Sequence, residues 1–355
     1  MYKLHLILKY LRKRRIAWVS LIAVTLCTAM VIVVISVMGG WLRMFRESFH
    51  GLTGDIIVHG ELQGFPHYQD MIDRIVALPD VKPGGAVPTI DTFGLTNIRN
   101  IARRGVQVVG YPIDKIGAVN NFPKSLYRQY QQYLDAADDT TNRLTREQRE
   151  QLRLRAEQNA AAPSFALLPD AAMYREILPN SVKDPAAFDG MIAGLGVLGI
   201  RKDQDGNWSR RDGIYGAWVR LTVLGIDATR ASPDVMGGKQ DRMYWIVDDS
   251  RTQIWQNDSS TVYVPFEVLQ RDLGMDGRTE IDADTKEKHV IPARTSAIQV
   301  AAKPGVDLFK LKEEIQKVVN DVSAERRIGA GYPITVETWE ESQATFIAAI
   351  EKEKM

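Results

Sequence analysis

Residues 16–42 read IAWVSLIAVTLCTAMVIVVISVMGGWL, and this stretch decides the fold because none of its 27 residues is charged. As a helix it would be about 40 Å long, more than the ~30 Å hydrocarbon core of a bilayer. The apolar region of a secretory signal is only about 7–15 residues long, so a cleaved signal fits poorly. Val37 and Gly39 could stand before a cleavage site, which leaves that alternative open. The length favours a retained membrane-spanning helix.

The charges on either side of this stretch predict its orientation. Residues 1–15 contain six cationic side chains and no acid, and the first acid of the chain is Glu47. Cationic residues beside a span stay in the cytoplasm, so we expect a bacterial inner-membrane protein with most of its chain in the periplasm. A nucleic-acid-binding arm is the alternative for a basic head, but the apolar stretch follows it immediately.

The helix is predicted to continue beyond the membrane as far as Gly51. Apolar residues recur there at spacings of three and four, and Gly51 and Gly54 then end the helix. The residues of this extension are Trp41, Leu42, Met44, Phe45 and Phe49, the first of which suits the membrane interface.

The single cysteine, Cys27, lies inside the predicted span. The exported part of the chain therefore has no disulfide, no thiol nucleophile and no cysteine-based metal site. Its stability must come from a buried apolar core, for which about 300 residues are ample.

The apolar patterns after residue 54 predict a region that mixes strands and helices. Alternation typical of strands occurs at 55–60, 104–113, 218–226, 243–249, 261–266, 293–302 and 333–339. Helical spacing occurs at 67–81, 306–322 and 340–355. The strand–helix–strand order at the start suggests a βαβ-like layer. Thr145 and Gln148 form a capping-box pattern that begins one of two charged helices inserted at 124–176.

These patterns predict an α+β fold in which one N-terminal transmembrane helix precedes a periplasmic mixed α/β region of two subdomains. The predicted parts are a basic cytoplasmic head (1–15), the transmembrane helix with its periplasmic extension (16–50), a subdomain next to the membrane (51–122 and 290–338), an inserted subdomain (123–289, helical at 124–176 and then β-rich) and a helix that leads towards a second span (339–355).

No motif makes a positive case for catalysis. Residues 194–199, GLGVLG, have dinucleotide-binding spacing, but no helical pattern follows and Val219 stands about where the acid should be. A turn with close backbone packing explains these glycines better. Residues 203–208, DQDGNW, have their glycine too early for a calcium loop, and the five histidines share no metal-ligand spacing. We therefore expect no enzyme activity and no metal in this chain.

Four stretches resemble a known transporter family. Residues 9–58 resemble the start of lipoprotein-releasing (Lol-type) ABC transporter permeases and their MacB-type relatives in the FtsX-like superfamily. Ser36-Val37-Met38-Gly39-Gly40-Trp41 matches the family's SVM-x-G-aromatic end of the first span. VQVVGYP (106–112) and VYVPFEVLQRDLGM (262–275) are similar to its later elements, and TWEESQATFIAAIEKEKM (338–355) resembles the segment before its second span. Residues 124–176 depart from the family in length and charge.

The resemblance implies a transport role and a MacB-type periplasmic core. ATP would be hydrolysed by a separate cytoplasmic ABC ATPase subunit, because the chain has no Walker motif. The implied partners are that ATPase, a second permease subunit in a homo- or heterodimer, a periplasmic carrier or adaptor protein, and membrane lipid or lipoprotein cargo, with no nucleic acid. Because the family has four spans, the resemblance implies that the chain is truncated before the second.

Two sets of site residues follow from the resemblance. An acyl-chain path for cargo would be lined by Met30, Val34, Val37, Met38, Trp41 and Phe45, although each of these could equally face lipid. A loop at 202–216 corresponds to the hairpin that contacts the carrier. Its exposed contacts would be Trp208, Arg210, Arg211 and Tyr215. The alternative function is a single-span anchored periplasmic ligand-binding or sensor protein.

Overall fold

The computed structural model describes residues 15–99, 102–139, 144–166, 188–200, 214–225, 238–252, 254–281, 288–329 and 331–344. Two units are distinguished: one consists of Met1–Glu47 and Gln343–Met355, and the other, called the domain below, consists of Ser48–Ser342. The helices are α1 (Arg15–His50), α2 (Tyr68–Val76), α3 (Ile113–Ile116), α4 (Gln132–Asp138), α5 (Arg146–Ala161), α6 (Trp255–Ser260), α7 (Phe266–Asp272), α8 (Leu308–Glu325) and α9 (Trp339–Ser342).

Thirteen strands are assigned among the described residues. They are β1 (Ile56–Gly60), β2 (Phe65–Pro66), β3 (Val81–Ile98), β4 (Ala102–Tyr111), β5 (Asp189–Gly194), β6 (Trp218–Leu224), β7 (Lys239–Ser250), β8 (Thr261–Pro265), β9 (Arg278–Ile281), β10 (Lys288–Ile291), β11 (Arg294–Thr295), β12 (Ala297–Ala302) and β13 (Ile334–Thr338). The mixed helix-and-sheet fold with one N-terminal apolar helix is therefore confirmed.

One end of the domain is an open antiparallel sheet in the order β13–β1–β12–β3. α2 and α8 pack against it and against each other. The buried face of α8 consists of Leu311, Ile315, Val319 and Val322, which recur at the three- and four-residue spacing of one helix face. The predicted βαβ-like layer is present as a split unit: β12 lies between β1 and β3 and runs antiparallel to both, so β1 and β3 are parallel to each other without being neighbours.

β3 continues out of this sheet into a closed barrel of six strands, β3–β4–β8–β5–β7–β6. The barrel closes because β6 pairs with β7 on one side and with β3 on the other. The pairs β4–β8 and β5–β7 are parallel, and the remaining pairs are antiparallel. Alternate side chains point inward, and Val108, Val262 and Tyr244 among them are fully buried. Closure leaves these six strands without a free edge.

The segment between β4 and β5 covers part of the outside of the barrel. Its helix α5 begins with the predicted capping box: the Thr145 hydroxyl accepts the Gln148 N–H at 3.2 Å, and the Gln148 side chain accepts the Thr145 N–H at 2.9 Å. Phe122 of this segment packs edge-on against Tyr111 and at a tilt against Tyr263, two outward side chains whose ring centroids are 5.0 and 4.3 Å away. A second core therefore lies on the outer face of the barrel.

Candidate functional site: the apolar helix and the end of the domain where the chain enters and leaves

α1 contains a segment that is long and apolar enough to cross a membrane. This segment, Trp18–Gly40, has 23 residues, and none of its window is buried by other parts of the chain. At 1.5 Å per residue it is about 34 Å long, which matches the ~30 Å hydrocarbon core with a modest tilt. In the part of the chain that the structure describes, no second helix meets the same test.

The few polar groups of this segment are satisfied within the helix. The hydroxyls of Thr25 and Thr28 donate to the carbonyl oxygens of Leu21 and Val24, each at 2.8 Å. Such bonds to the preceding turn remove hydroxyl donors from an environment that offers no water. These two hydroxyls therefore do not interrupt the apolar character of the segment.

The predicted acyl-chain residues lie on this helix. The side chains of Met30 and Val37 are 70% and 65% exposed, Val34 is also exposed, and Met38 is half-buried. Trp41 and Phe45 belong to the same helix, and their side chains lie outside the described part of the structure. Exposure suits contact with lipid and contact with cargo alike, so the acyl path stays a prediction.

The domain has its entry and its exit side by side. Ile56, at the start of β1, pairs with Thr338, at the end of β13. The N–H of Trp339 donates to the carbonyl oxygen of Asp55 at 3.1 Å, and the Asp55 carboxylate accepts the Ala302 N–H at 2.7 Å. Three chain segments are thus fixed together at one end of the domain.

A short ion pair strengthens the exit. Glu341, in the helix that follows β13, accepts the Thr338 N–H at 2.9 Å and the Lys312 ammonium at 2.7 Å. The hydrogen bond from Lys312 is the largest of the contacts that hold the pKa of Glu341 below its usual range. Because Lys312 lies on α8, the exit is tied to the main helix of the open sheet as well as to β1.

A small polar cavity lies at the same end of the domain. Its volume is about 140 Å³, and its lining consists of Thr53, Asp55, Lys82, Gly117, Ala118, Val119, Asn120 and Asn121. Asn120 donates to the Leu52 carbonyl at 3.1 Å and to the Gln299 side chain at 2.9 Å. The cavity wall is therefore bonded to the segment through which the chain enters the domain.

A buried carboxylate joins the helical segment to the barrel. Asp248, at the end of β7, accepts the backbone N–H groups of Arg128, Gln129 and Asp249 at 2.8, 3.1 and 2.8 Å. It also accepts the Gln129 side-chain amide at 3.1 Å. Burial, and then the charge of Asp249, raise the pKa of Asp248 to about 7, against the N–H donors that lower it. Four donors around one carboxylate describe a structural anchor rather than a catalytic acid.

The next carboxylate in the chain, Asp249, binds Tyr215, one of the predicted carrier contacts. The Tyr215 hydroxyl donates to Asp249, whose other oxygen accepts the Arg251 guanidinium at 2.7 Å. The Arg128 guanidinium stacks 4.6 Å from the centre of the Tyr215 ring. Tyr215 is therefore partly buried and bonded rather than fully exposed, and its contact with a carrier stays a prediction. Trp208, Arg210 and Arg211 lie outside the described residues.

The GLGVLG segment is a turn, as its composition predicts. A side-chain carbon at Gly194 would lie 2.4 Å from the Asp258 carbonyl oxygen, and one at Gly196 would lie 2.6 Å from the Ser259 Cα. Close backbone packing thus explains both glycines. Across the described ranges, no group of three or more His, Cys, Asp or Glu residues has a geometry that could hold a metal ion.

The sequence did not predict the buried Asp248 carboxylate as an anchor, although it predicted the strand at 243–249 that contains this residue. MYWIVDD (243–249) ends an apolar run with two adjacent acids, and a carboxylate that terminates a buried strand needs donors from elsewhere in the fold. The donors come from residues about 120 positions away, so the sequence does not reveal them.

No protein-family model and no curated protein matches the sequence. Among solved structures, the domain is similar to the periplasmic region of MacB from Actinobacillus actinomycetemcomitans. The two share 9% sequence identity, and the similarity covers 84% of this chain and 94% of that one, with a TM-score of 0.36. At this level the similarity establishes no family membership.

Proposed function

We propose that this chain is a membrane-spanning permease subunit of an ABC transporter. In this proposal a separate ATPase subunit binds and hydrolyses ATP in the cytoplasm. The chain passes the resulting motion to its exported domain, which moves lipoprotein or another cargo at the periplasmic side of the inner membrane. The chain itself performs no chemistry in this scheme.

The pairing of the two ends of the domain is the observation that carries the proposal. Many domains have their two ends close together, but a domain inserted between two membrane-bound helices requires it. Here β1 and β13 are neighbours, and Trp339 is bonded to Asp55. This arrangement is the one expected of a domain inserted between two membrane-bound helices, because both helices must then reach the same end.

The rigidity of this end supports a mechanical role. The entry, the exit, β12 and α8 are joined by the bonds of Asp55 and Glu341 described above. A displacement of either chain end would therefore move the open sheet as one body. Rigid-body movement of a packed domain is a common way in which a distant chemical step is transmitted.

The sequence supplies the other support. The basic head, the apolar segment and the motif at residues 36–41 are the features that resemble Lol-type and MacB-type permeases.

Purification of the native protein from membranes tests the proposal. We expect the full-length gene product, extracted in mild detergent, to copurify with an ATPase subunit at a fixed stoichiometry. ATP hydrolysis by that complex should fall when Asp55 is changed to Ala, because the bond to β12 is lost. The exposed Leu62→Ser change is the matched control and should leave hydrolysis unaltered.

Recovery of the chain from membranes without any ATPase would contradict the permease proposal. That result would instead agree with an anchored binding or sensor protein.

A further inference from the structure

An uncovered apolar ridge runs along the outer face of the barrel. Phe93 and Leu95 on β3 are 74% and 57% exposed, and Leu224 on β6 is 47% exposed. Phe93 and Leu224 are next to each other, since the β3–β6 register places Gly94 opposite Val223. Isolated exposed apolar side chains are ordinary, but three adjacent ones in the middle of paired strands form a patch.

Residues that the strand register places opposite one another form rows across β4, β3 and β6, and the patch contains three such rows. One row contains Gln107, Phe93 and Leu224, and the next contains Gly105, Leu95 and Thr222. Gly105 has open space where a side chain would stand, so a shallow groove lies beside Leu95. Rows two residues apart along a strand are separated by about 6.6 Å.

The third row provides positive charge. Arg103 on β4 and Arg220 on β6 both stand opposite Asn97 of β3, on the same face as Leu95. Both side chains are exposed. The acid at the rim, Asp241, pairs with Lys239 at 2.8 Å and accepts the Thr222 hydroxyl, and the charge of Arg220 also acts on it and helps to lower its pKa.

On the neighbouring part of the same outer face, the apolar side chains are covered by another segment of the chain. Near Tyr111 and Tyr263 the outer face is covered by the segment that contains Phe122, and its apolar side chains are buried. The ridge at Phe93 has no described covering segment.

We propose that the barrel face formed by Phe93, Leu95 and Leu224, with Arg103 and Arg220 beside it, is a docking surface for a protein segment that carries carboxylate side chains next to apolar ones. The apolar rows bury the partner's apolar side chains, and the arginines pair with its carboxylates. The row spacing sets the pattern: in an extended partner, carboxylates lie about two to four residues from the apolar anchor. The proposal does not depend on the transport role.

Selection from a random peptide library tests this proposal. The library is displayed on phage, and the full chain, reconstituted in nanodiscs, is the target. We expect enriched peptides to contain an aromatic or aliphatic anchor with Asp or Glu two to four positions away. Synthetic copies should bind at least tenfold more weakly to Phe93→Ser/Leu224→Ser, and severalfold more weakly to Arg103→Ala/Arg220→Ala with a reduced dependence on salt.

Matched variants at exposed positions elsewhere serve as controls. Leu154→Ser on α5 and Lys317→Ala on α8 should leave the affinity unchanged. Circular dichroism and thermal unfolding of each variant verify that the fold is kept. Absence of any enriched peptide, enrichment without acids, or binding that survives the Phe93→Ser/Leu224→Ser change would each overturn the proposal. Binding that is competed by a peptide copy of residues 226–237 would also overturn it, because the occupant would then be this chain itself.

Discussion

The apolar helix and the interior of the domain use the same side chains in opposite surroundings. Val33, Val34 and Ile35 of α1 are more than half exposed, whereas Val108, Val262 and Val300 of the domain have no exposed surface. Leaving one such side chain in water costs about 1.5–3 kcal/mol relative to burial. The difference shows that the domain supplies its own apolar environment, whereas the helix has the length and composition to take its environment from a bilayer.

The introduction of charged residues into the apolar helix should have the largest effect of the changes considered. In the Ala29→Arg/Val33→Arg variant, each arginine near the middle of the span costs about 2.5–3.5 kcal/mol of insertion. We expect the variant to leave the carbonate-washed membrane fraction and to appear in the soluble or aggregated fraction, as measured by immunoblotting.

The control places the same charges on exposed positions of the domain. Leu154→Arg/Val290→Arg should fractionate with membranes like the unaltered protein, since both positions face solvent. If the Ala29→Arg/Val33→Arg protein also stayed in the washed membranes, the helix would not need lipid around it.

Inside the domain, removal of the Asp248 carboxylate should have the next largest effect. Asp248→Ala leaves several buried N–H donors without an acceptor, so we expect the free energy of unfolding to fall by about 3–5 kcal/mol. Asp241→Ala, on the exposed part of the same strand, is the control and should cost about 1 kcal/mol or less. Equal losses for the two variants in a denaturant titration would contradict the role of Asp248 as an anchor.

The same carboxylate gives the stability of the domain a pH dependence. The pKa of Asp248 is about 7 in the folded protein and ~3.9 in an unfolded chain, so the folded state binds the proton more tightly. The free energy of unfolding therefore falls as pH rises from about 4 to about 7. Asp248→Asn should flatten this part of the profile, and a slope that persists in this variant would assign it to other groups.

Much of the helix, and less of the domain, could be predicted from the sequence. The absence of charge from 16 to 42 and the glycines at 51 and 54 are local signals, and α1 ends at His50 as they predict. The capping box at Thr145 is likewise local and was confirmed. Closure of the barrel depends on the register between β3 and β6, whose residues are more than 100 positions apart, and no local pattern encodes it. The division of the domain into two subdomains stays a prediction.

Backbone packing should give the smallest of these effects. Gly194→Ala would place a carbon 2.4 Å from the Asp258 carbonyl oxygen, so we expect a loss of about 1–3 kcal/mol. Gly105→Ala, which faces open space on the outer barrel face, should change stability by about 0.5 kcal/mol or less. Thermal unfolding of both proteins measures the difference in stability. A larger loss of stability for Gly105→Ala than for Gly194→Ala would contradict the assignment of the tight contact to Gly194.

The central claim, that the helix crosses the membrane between a cytoplasmic head and an exported domain, is tested by cysteine labelling. Cys27 is the only cysteine, so Cys27→Ser gives a background without thiols. New cysteines are then introduced one at a time as Lys3→Cys in the head and Leu62→Cys on the exposed surface of the domain. In cells with a permeabilised outer membrane, an impermeant maleimide should label Leu62→Cys at once and Lys3→Cys only after the inner membrane is disrupted. Labelling of both positions before the inner membrane is disrupted, or of neither position at any stage, would contradict the account.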